Sequence, residues 1–307
     1  MEKQEKTNKY DVLIIGAGPA GMSAAVYSAR SNLKTIMIEK GAPGGKMVTT
    51  FKVENYPGFE STSGPDLALK MYNQVIKNGV EHKYGTVSNI ESENESKQIV
   101  TLSNGTIYEA KKVIIATGMI SRVPKIERIH EMNHKGISYC AICDGPLYKG
   151  EVTGVIGGGN AAIEEAAFLS TVSKEVHVFI MDDFFHADAK EVEALKLKKN
   201  VVIHMESMID KLEGENKLEG ISYTEKGEKK QLDIKAIFPY IGFIPVADFA
   251  KGLNITDKAG FINVNENMET EVKGIYAAGD IIVKKIRQIT TATNDGTIAA
   301  KDIINKI

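Results

Sequence analysis

Residues 10–30 read YDVLIIGAGPAGMSAAVYSAR: a short apolar run (Val12–Ile15), a glycine turn, then a run of small residues. Gly16, Gly18 and Gly21 fit G-x-G-x-x-G, with Pro19 and Ala20 inside the motif, in the strand–turn–helix setting that gives it meaning. The first glycine permits the tight turn, the second lets a pyrophosphate approach the backbone, and the third lets helix and strand pack closely. The helix N-terminus then offers unpaired N–H groups and its positive dipole end to a phosphate. The next strand, KTIMIE, ends at Glu39, about 18 residues past Gly21 and just before Lys40. That is the spacing of the acid that takes a ribose hydroxyl.

The pattern recurs. EVTGVIGGGNAAIEEAAFLS (151–170) is again strand, glycine turn and helix, with Gly157, Gly159 and Ala162 fitting G-x-G-x-x-A around Asn160 and Ala161, and EVHVFIM follows as the next strand. Two such units bind two dinucleotides, or reflect a duplication. KKVIIATG (111–118) is a further buried strand ending in the turn at Thr117 and Gly118. GIYAAGD (274–280) is a strand whose turn, at Gly279, places Asp280 at its carboxyl end, with Ile281 next. AIFPYIGFIP (236–245) lies between them. The expected fold is α/β: two Rossmann-like three-layer domains, 118–246 inserted into a discontinuous domain of 1–117 and 247–307. KLEGENKLEG and TEKGEKKQ read as solvated hairpins.

Composition narrows the function. The chain has 307 residues, 43% hydrophobic and 25% charged, with a net charge of -2, so no basic field attracts nucleic acid or anionic lipid. MEKQEKTNKY holds no apolar signal region, and no apolar run nears the ~20 residues that span a bilayer. The chain therefore reads as cytoplasmic. Cys140 and Cys143 are its only cysteines. In a reducing compartment they are poor candidates for a structural staple, and closing so short a loop gains little chain entropy. Half of a CxxC…CxxC pattern is not a zinc site, and the histidines are scattered. Redox chemistry is the remaining reading: a Cys-X-X-Cys at a helix start lowers one thiol's pKa and toggles readily between dithiol and disulfide. Asp144 follows at once, as a proton donor or acceptor, as an N-cap or turn aspartate, or as both.

With these pieces in place, the chain resembles the low-molecular-weight thioredoxin reductases over essentially its whole length. The match runs through GAGPAG, PGGK (43–46), VENYPGF (53–59), ATG, GISYCAICDG, GGGNAAIEEA, FPYIGF and GIYAAGD…RQITTATNDG, in order and at family spacing. The resemblance implies an FAD domain split around a nicotinamide domain, usually in a homodimer, with electrons passing from nicotinamide through FAD and the cysteine pair to thioredoxin. It implies that Gly16, Gly18 and Gly21 hold the FAD pyrophosphate and Glu39 the adenosine ribose. It further implies that Gly44, Gly45, Lys46 and Asn55 line the flavin site, with Lys46 where the family usually has Gln. Asp280 matches the aspartate that bonds the ribityl chain, and Arg287, Gln288 and Ile289 match the helix start beside the ring. Cys140 matches the thiol that attacks thioredoxin, Cys143 the one nearest the flavin, and Asp144 the acid. One pair serving two partners implies rotation of the inner domain about linkers near 117–119 and 242–246.

One stretch departs from the family. NADPH-using members carry His-Arg-Arg-Asp-x-Phe-Arg-Ala where this chain has IMDDFFHA (180–187), so Met181, Asp182 and His186 replace the arginines that grip a 2′-phosphate. Losing charged hydrogen bonds, at about 1.5–3 kcal/mol each, shifts discrimination by about two to four decades. Three readings stand: NADH with Asp182 or Asp183 on the ribose, weak use of NADPH, or electrons from a ferredoxin or reduced flavin. A flavin redox sensor is the non-enzymatic alternative. The flavoprotein subunit of alkyl hydroperoxide reductase shares CDGP but carries further cysteines. Type-two ferredoxin–nicotinamide reductase lacks the CxxC.

Overall fold

The computed structural model describes residues 8–50 and 53–307. The chain divides into one unit formed by Met1–Ile120 and Ile244–Ile307 and a second formed by Ser121–Phe243. The first begins with β1 (Lys9–Ile15), α1 (Pro19–Arg30), β2 (Thr35–Glu39), α2 (Gly64–Lys77) and β3 (Glu81–Tyr84). β4 (Val87–Asn94), β5 (Lys97–Leu102) and β6 (Ile107–Ile115) follow, then a connecting strand β7 (Met119–Ser121). The second unit holds α3 (Ala141–Asp144), β8 (Val152–Ile156), α4 (Asn160–Leu169), β9 (Glu175–Phe179), α5 (Ala189–Lys196) and β10 (Val201–His204). It continues with β11 (Ser207–Glu213), β12 (Gly220–Glu225), β13 (Glu228–Asp233) and β14 (Ala236–Pro239). The return strand β15 (Phe243–Pro245) pairs with β7, and β16 (Ile275–Ala277) and α6 (Ile289–Lys306) complete the first unit.

In the first unit β3, β2, β1, β6 and β16 run parallel, and the β4–β5 hairpin joins antiparallel along the first half of β6. Residues 12–15 show why parallel strands read as unbroken apolar runs: both faces are covered. Val12 and Ile14 enter a core shared with α1, α2 and α6, while Leu13 and Ile15 enter a second core with β4, β5 and residues 247–262. Each fully buried aliphatic side chain contributes about 1.5–3 kcal/mol. α1 is rich in small residues because α6 lies close against it: a Cβ on Gly296 would sit 2.0 Å from the Ala20 carbonyl oxygen.

The second unit repeats the scheme with a four-stranded parallel sheet, β10–β9–β8–β14. One face packs on α3, α4 and α5. The other packs on the antiparallel β11–β12–β13 sheet and on residues 126–137. The stretches read as solvated hairpins are the two turns of that antiparallel sheet. Both units are therefore mixed α/β with a Rossmann-like parallel sheet. Among the described residues no helix is long and apolar enough to cross a membrane.

Candidate active site

Cys140 and Cys143 are bonded to each other, with their Cα atoms 5.3 Å apart. The segment before them runs beside β14: the Ile237 N–H donates to the Gly136 carbonyl at 2.7 Å and the Ser138 N–H to the Ile237 carbonyl at 3.2 Å. This delivers Cys140 to the carboxyl end of β14, where it becomes the N-cap of α3. Its Sγ accepts the Cys143 N–H at 3.1 Å, and its own N–H donates to Ser138 Oγ at 3.1 Å. Cys140 and Asp144 are half-buried and Cys143 is exposed. Asp144 is the last residue of α3 and the N-cap residue of the 3-10 turn that follows, without a side-chain cap bond to it.

A second group forms in the first unit. Gly16 adopts a φ of +104°, and a Cβ there would strike the Ala116 carbonyl oxygen at 2.4 Å, which brings the turn against Thr117. Gly18 is the N-cap of α1, with no side chain capping it and nothing within 4 Å of a Cβ placed on it. The Glu39 carboxylate reaches back, accepting the Ala17 N–H at 2.8 Å through Oε2 and the Gly41 N–H at 2.9 Å through Oε1. Lys40 stands exposed beside it. The Gly44 N–H donates to the Ala17 carbonyl at 2.8 Å, and a Cβ on Gly45 would meet the Gly18 Cα at 3.3 Å.

Lys46 and Asp280 form an ion pair. Gly279 lies against α1, where its Cβ would meet Ala20 at 2.9 Å, and its N–H donates to the Asp295 carboxylate at 3.1 Å. Arg287 donates to the Asp280 and Ile282 carbonyls at 3.4 and 3.3 Å and lies over the Phe261 ring at 4.5 Å. Asn55 donates to the Gln288 amide oxygen at 3.2 Å, at the cap of α6, which starts at Ile289. Thr117 Oγ1 donates to the Val246 carbonyl at 2.6 Å beside the turn at Gly118, and Ile281 is buried. The residues picked out in the first and last thirds of the chain thus converge around one glycine turn.

The second glycine turn repeats the first. Gly157 has a φ of +134° and a Cβ there would strike the Tyr240 carbonyl oxygen at 2.4 Å, while Gly159, the N-cap of α4, faces open space. Ala161 is exposed and Ala162 buried beneath the turn. The 182–188 segment folds over it: the His186 N–H donates to the Gly158 carbonyl at 2.8 Å and the Asp188 N–H to Asn160 Oδ1 at 2.7 Å. Asp182, just past β9, is bonded to His186 Nε2 at 2.9 Å. An acid paired with a histidine therefore stands on the segment that folds over this second glycine turn.

A family model of pyridine nucleotide-disulphide oxidoreductases matches residues 10–296. The thioredoxin reductase of Mycoplasmopsis pulmonis is 43% identical over 299 residues, 97% of each chain. That of Mycoplasma pneumoniae is 45% identical over 297 residues, 96% of this chain and 94% of its own. This chain belongs to the thioredoxin reductases. The crystal structure of Lactococcus lactis thioredoxin reductase (FR conformation) is similar at a TM-score of 0.92 and 38% identity, covering 97% of this chain and 100% of that one. As a thioredoxin reductase, the protein is a thioredoxin-disulfide reductase whose CxxC disulfide is Cys140–Cys143.

Some contacts of the thioredoxin reductase disulfide escape a reading of the sequence. The Ala141 N–H, first in α3, donates to the Tyr240 hydroxyl at 3.0 Å, and that tyrosine lies 99 residues away. Glu165, on α4, holds a buried carboxylate oxygen with no hydrogen-bond partner. For Glu165 a signal existed: it falls three residues after Ala162 and four before Leu169, both buried, which sets it on the inward side of the helix. For Tyr240 there was none.

Proposed function

We propose that the first unit is the FAD domain, 1–117 with 247–307, and that 118–246 binds the nicotinamide cofactor and carries the redox disulfide. The residues fit the group: α1 is an uncapped 12-residue helix with an open glycine at its N-cap, beside an acid at the end of β2. Gly16, Gly18 and Gly21 hold the pyrophosphate there, Glu39 stands by the ribose, and Lys46, Asp280, Arg287 and Gln288 hold the ribityl and ring end. FAD, when bound, supplies two-electron transfer between a hydride donor and a disulfide.

The chain's own part is sulfur chemistry. Reduced Cys140, as thiolate, attacks one sulfur of thioredoxin's disulfide, forming a mixed disulfide and releasing the other sulfur as thiolate. Cys143 then attacks Cys140's sulfur, re-forming the Cys140–Cys143 bond and freeing thioredoxin as a dithiol. Asp144 gives a proton to the leaving sulfur. The bonded pair at the start of α3, made from the chain's only two cysteines, carries this reading. Cys140→Ser and Cys143→Ser test it: each variant keeps its flavin colour and loses thioredoxin turnover to background. Undiminished turnover in either overturns it.

The donor we infer is NADH, and the Asp182–His186 pair in place of arginines supports it. Anaerobic titration with each nicotinamide reads the preference directly, and faster flavin bleaching by NADPH at equal concentration reverses it. Slow bleaching with both favours the second reading, a ferredoxin or reduced flavin as donor. A cytoplasmic homodimer with thioredoxin as partner is the setting we propose.

A further inference from the structure

Lys284 lies between the β16 turn and α6, where residues 283–288 form neither strand nor helix. Its neighbours Val283, Lys285 and Ile286 are exposed, yet the Lys284 side chain is only 13% exposed. It runs inward to Asp295 of α6, whose side chain is 8% exposed, and its Nζ donates to Asp295 Oδ2 at 2.6 Å. That same carboxylate oxygen accepts the Gly279 N–H at 3.1 Å. The ammonium also donates to Thr291 Oγ1 at 3.3 Å, and this oxygen accepts the N–H of Gln288, the N-cap of α6, at 3.1 Å. One lysine–aspartate pair therefore joins the turn that presents Asp280, the coil after it and the first turns of α6.

Burying two opposite charges adds little net stability, because their desolvation offsets their attraction. An apolar pair would cover the same surface. It would not hold an ammonium and a backbone N–H on one charged oxygen, a bond that is both short and directional. What the pair holds is the end of the unit assigned above to the ribityl chain and ring. Gly279, at a φ of +84°, precedes Asp280, which is paired with Lys46. Arg287 donates back to the Asp280 and Ile282 carbonyls, and Gln288 accepts from Asn55.

We propose that Lys284 and Asp295 are positioning residues for FAD: the pair fixes the Gly279–Asp280 turn against the start of α6, so that Asp280, Arg287 and Gln288 are in place before the cofactor arrives. This rests on the reading of the first unit as the FAD domain. Order already present in the protein is order that binding need not create, so the pair acts on how tightly, and in what geometry, the flavin is held. Neither side chain is assigned a contact with FAD; both act through the backbone they hold.

The test replaces the pair by apolar side chains of similar shape, Lys284→Met with Asp295→Leu, which removes both charges together and strands neither. FAD release from the diluted holoenzyme, followed by flavin fluorescence, becomes about tenfold faster, as expected for one lost hydrogen bond to a charged acceptor. The visible circular dichroism of the bound flavin changes with it. Lys284→Met alone gives a smaller acceleration, because Asp295 still accepts the Gly279 N–H. Glu269→Gln is the control for plain destabilisation: it weakens a buried carboxylate's hold on Lys273 and on Lys306, in the last turn of α6. It lowers the urea midpoint and leaves FAD release and flavin dichroism native. Native release and dichroism in the double variant overturn the proposal, and so does an equal acceleration in Glu269→Gln. If the double variant does not fold, Lys284→Met decides alone, and release at the native rate overturns the proposal. Failure of the FAD-domain reading looks different: the native protein then carries no flavin to release.

Discussion

The two glycine turns share a backbone and differ in what surrounds it. Gly16 and Gly157 both have positive φ, and at both a Cβ would lie 2.4 Å from a carbonyl oxygen of the neighbouring strand's exit, Ala116 in one and Tyr240 in the other. Gly18 and Gly159 both face open space as N-caps. The third position separates them. A Cβ on Gly21 would sit 2.0 Å from the Gly16 carbonyl oxygen, whereas Ala162 keeps its methyl. The acids separate them further: Glu39 is folded into its turn by two backbone N–H groups, and Asp182 is paired with an exposed histidine. Features set by backbone contact are repeated, because no alternative fits. Features carried by side chains around the turns are free to diverge, and the two turns diverge there.

The largest test of this contrast is Gly21→Ala against Ala162→Gly. The first forces backbone apart and is expected to destabilise by about 3 kcal/mol or more. The second costs about 1 kcal/mol of helix propensity. Urea unfolding of each variant gives both numbers, and equal losses would break the comparison. Next comes Met181→Arg with Asp182→Arg. Met181 is 72% exposed, so the change leaves packing alone, and two restored charged donors shift the NADPH-to-NADH ratio of kcat/KM toward NADPH by about two decades. An unchanged ratio would mean that the 182–188 segment does not read the ribose. Glu39→Gln leaves one of its two backbone N–H groups facing an amide rather than an oxygen, and FAD binding weakens about fivefold, near 1 kcal/mol. Fluorescence of released flavin measures it.

The smallest effect is on pH dependence, and the two units respond with opposite sign. Glu269, in the first unit, is desolvated by burial, but Lys273, Lys306 and the Gly274 N–H outweigh this and hold its pKa at about 2. Its contribution is present above the ordinary value near 4.5 and is lost as pH falls toward 2. Glu165, in the second unit, is shifted up to about 7, so the folded chain holds a proton that the unfolded chain releases. Stability there falls as pH rises from about 4.5 to 7 and is level above. Thermal melts of Glu269→Gln and Glu165→Gln across pH 3–8 check it: the first flattens the acid limb and the second the neutral limb.

Much of the molecule was legible residue by residue. Each glycine turn announced itself because three local demands, a tight turn, an open N-cap and a close helix, fall within six residues of an apolar strand. The cysteine pair was legible for the same reason, as bond and helix start are both local. Contacts between distant segments were not. Tyr240 on the Ala141 N–H, Lys46 on Asp280, Asn55 on Gln288 and Gly44 on Ala17 join segments with no shared period or motif. Sequence alone therefore determined two strand–glycine turn–helix units and one sulfur pair, since short-range sterics and covalent reach decide those. Only the tertiary structure decided which tyrosine stands behind the sulfurs, which lysine meets Asp280 and which acid stays buried, because those depend on where parallel strands end in space.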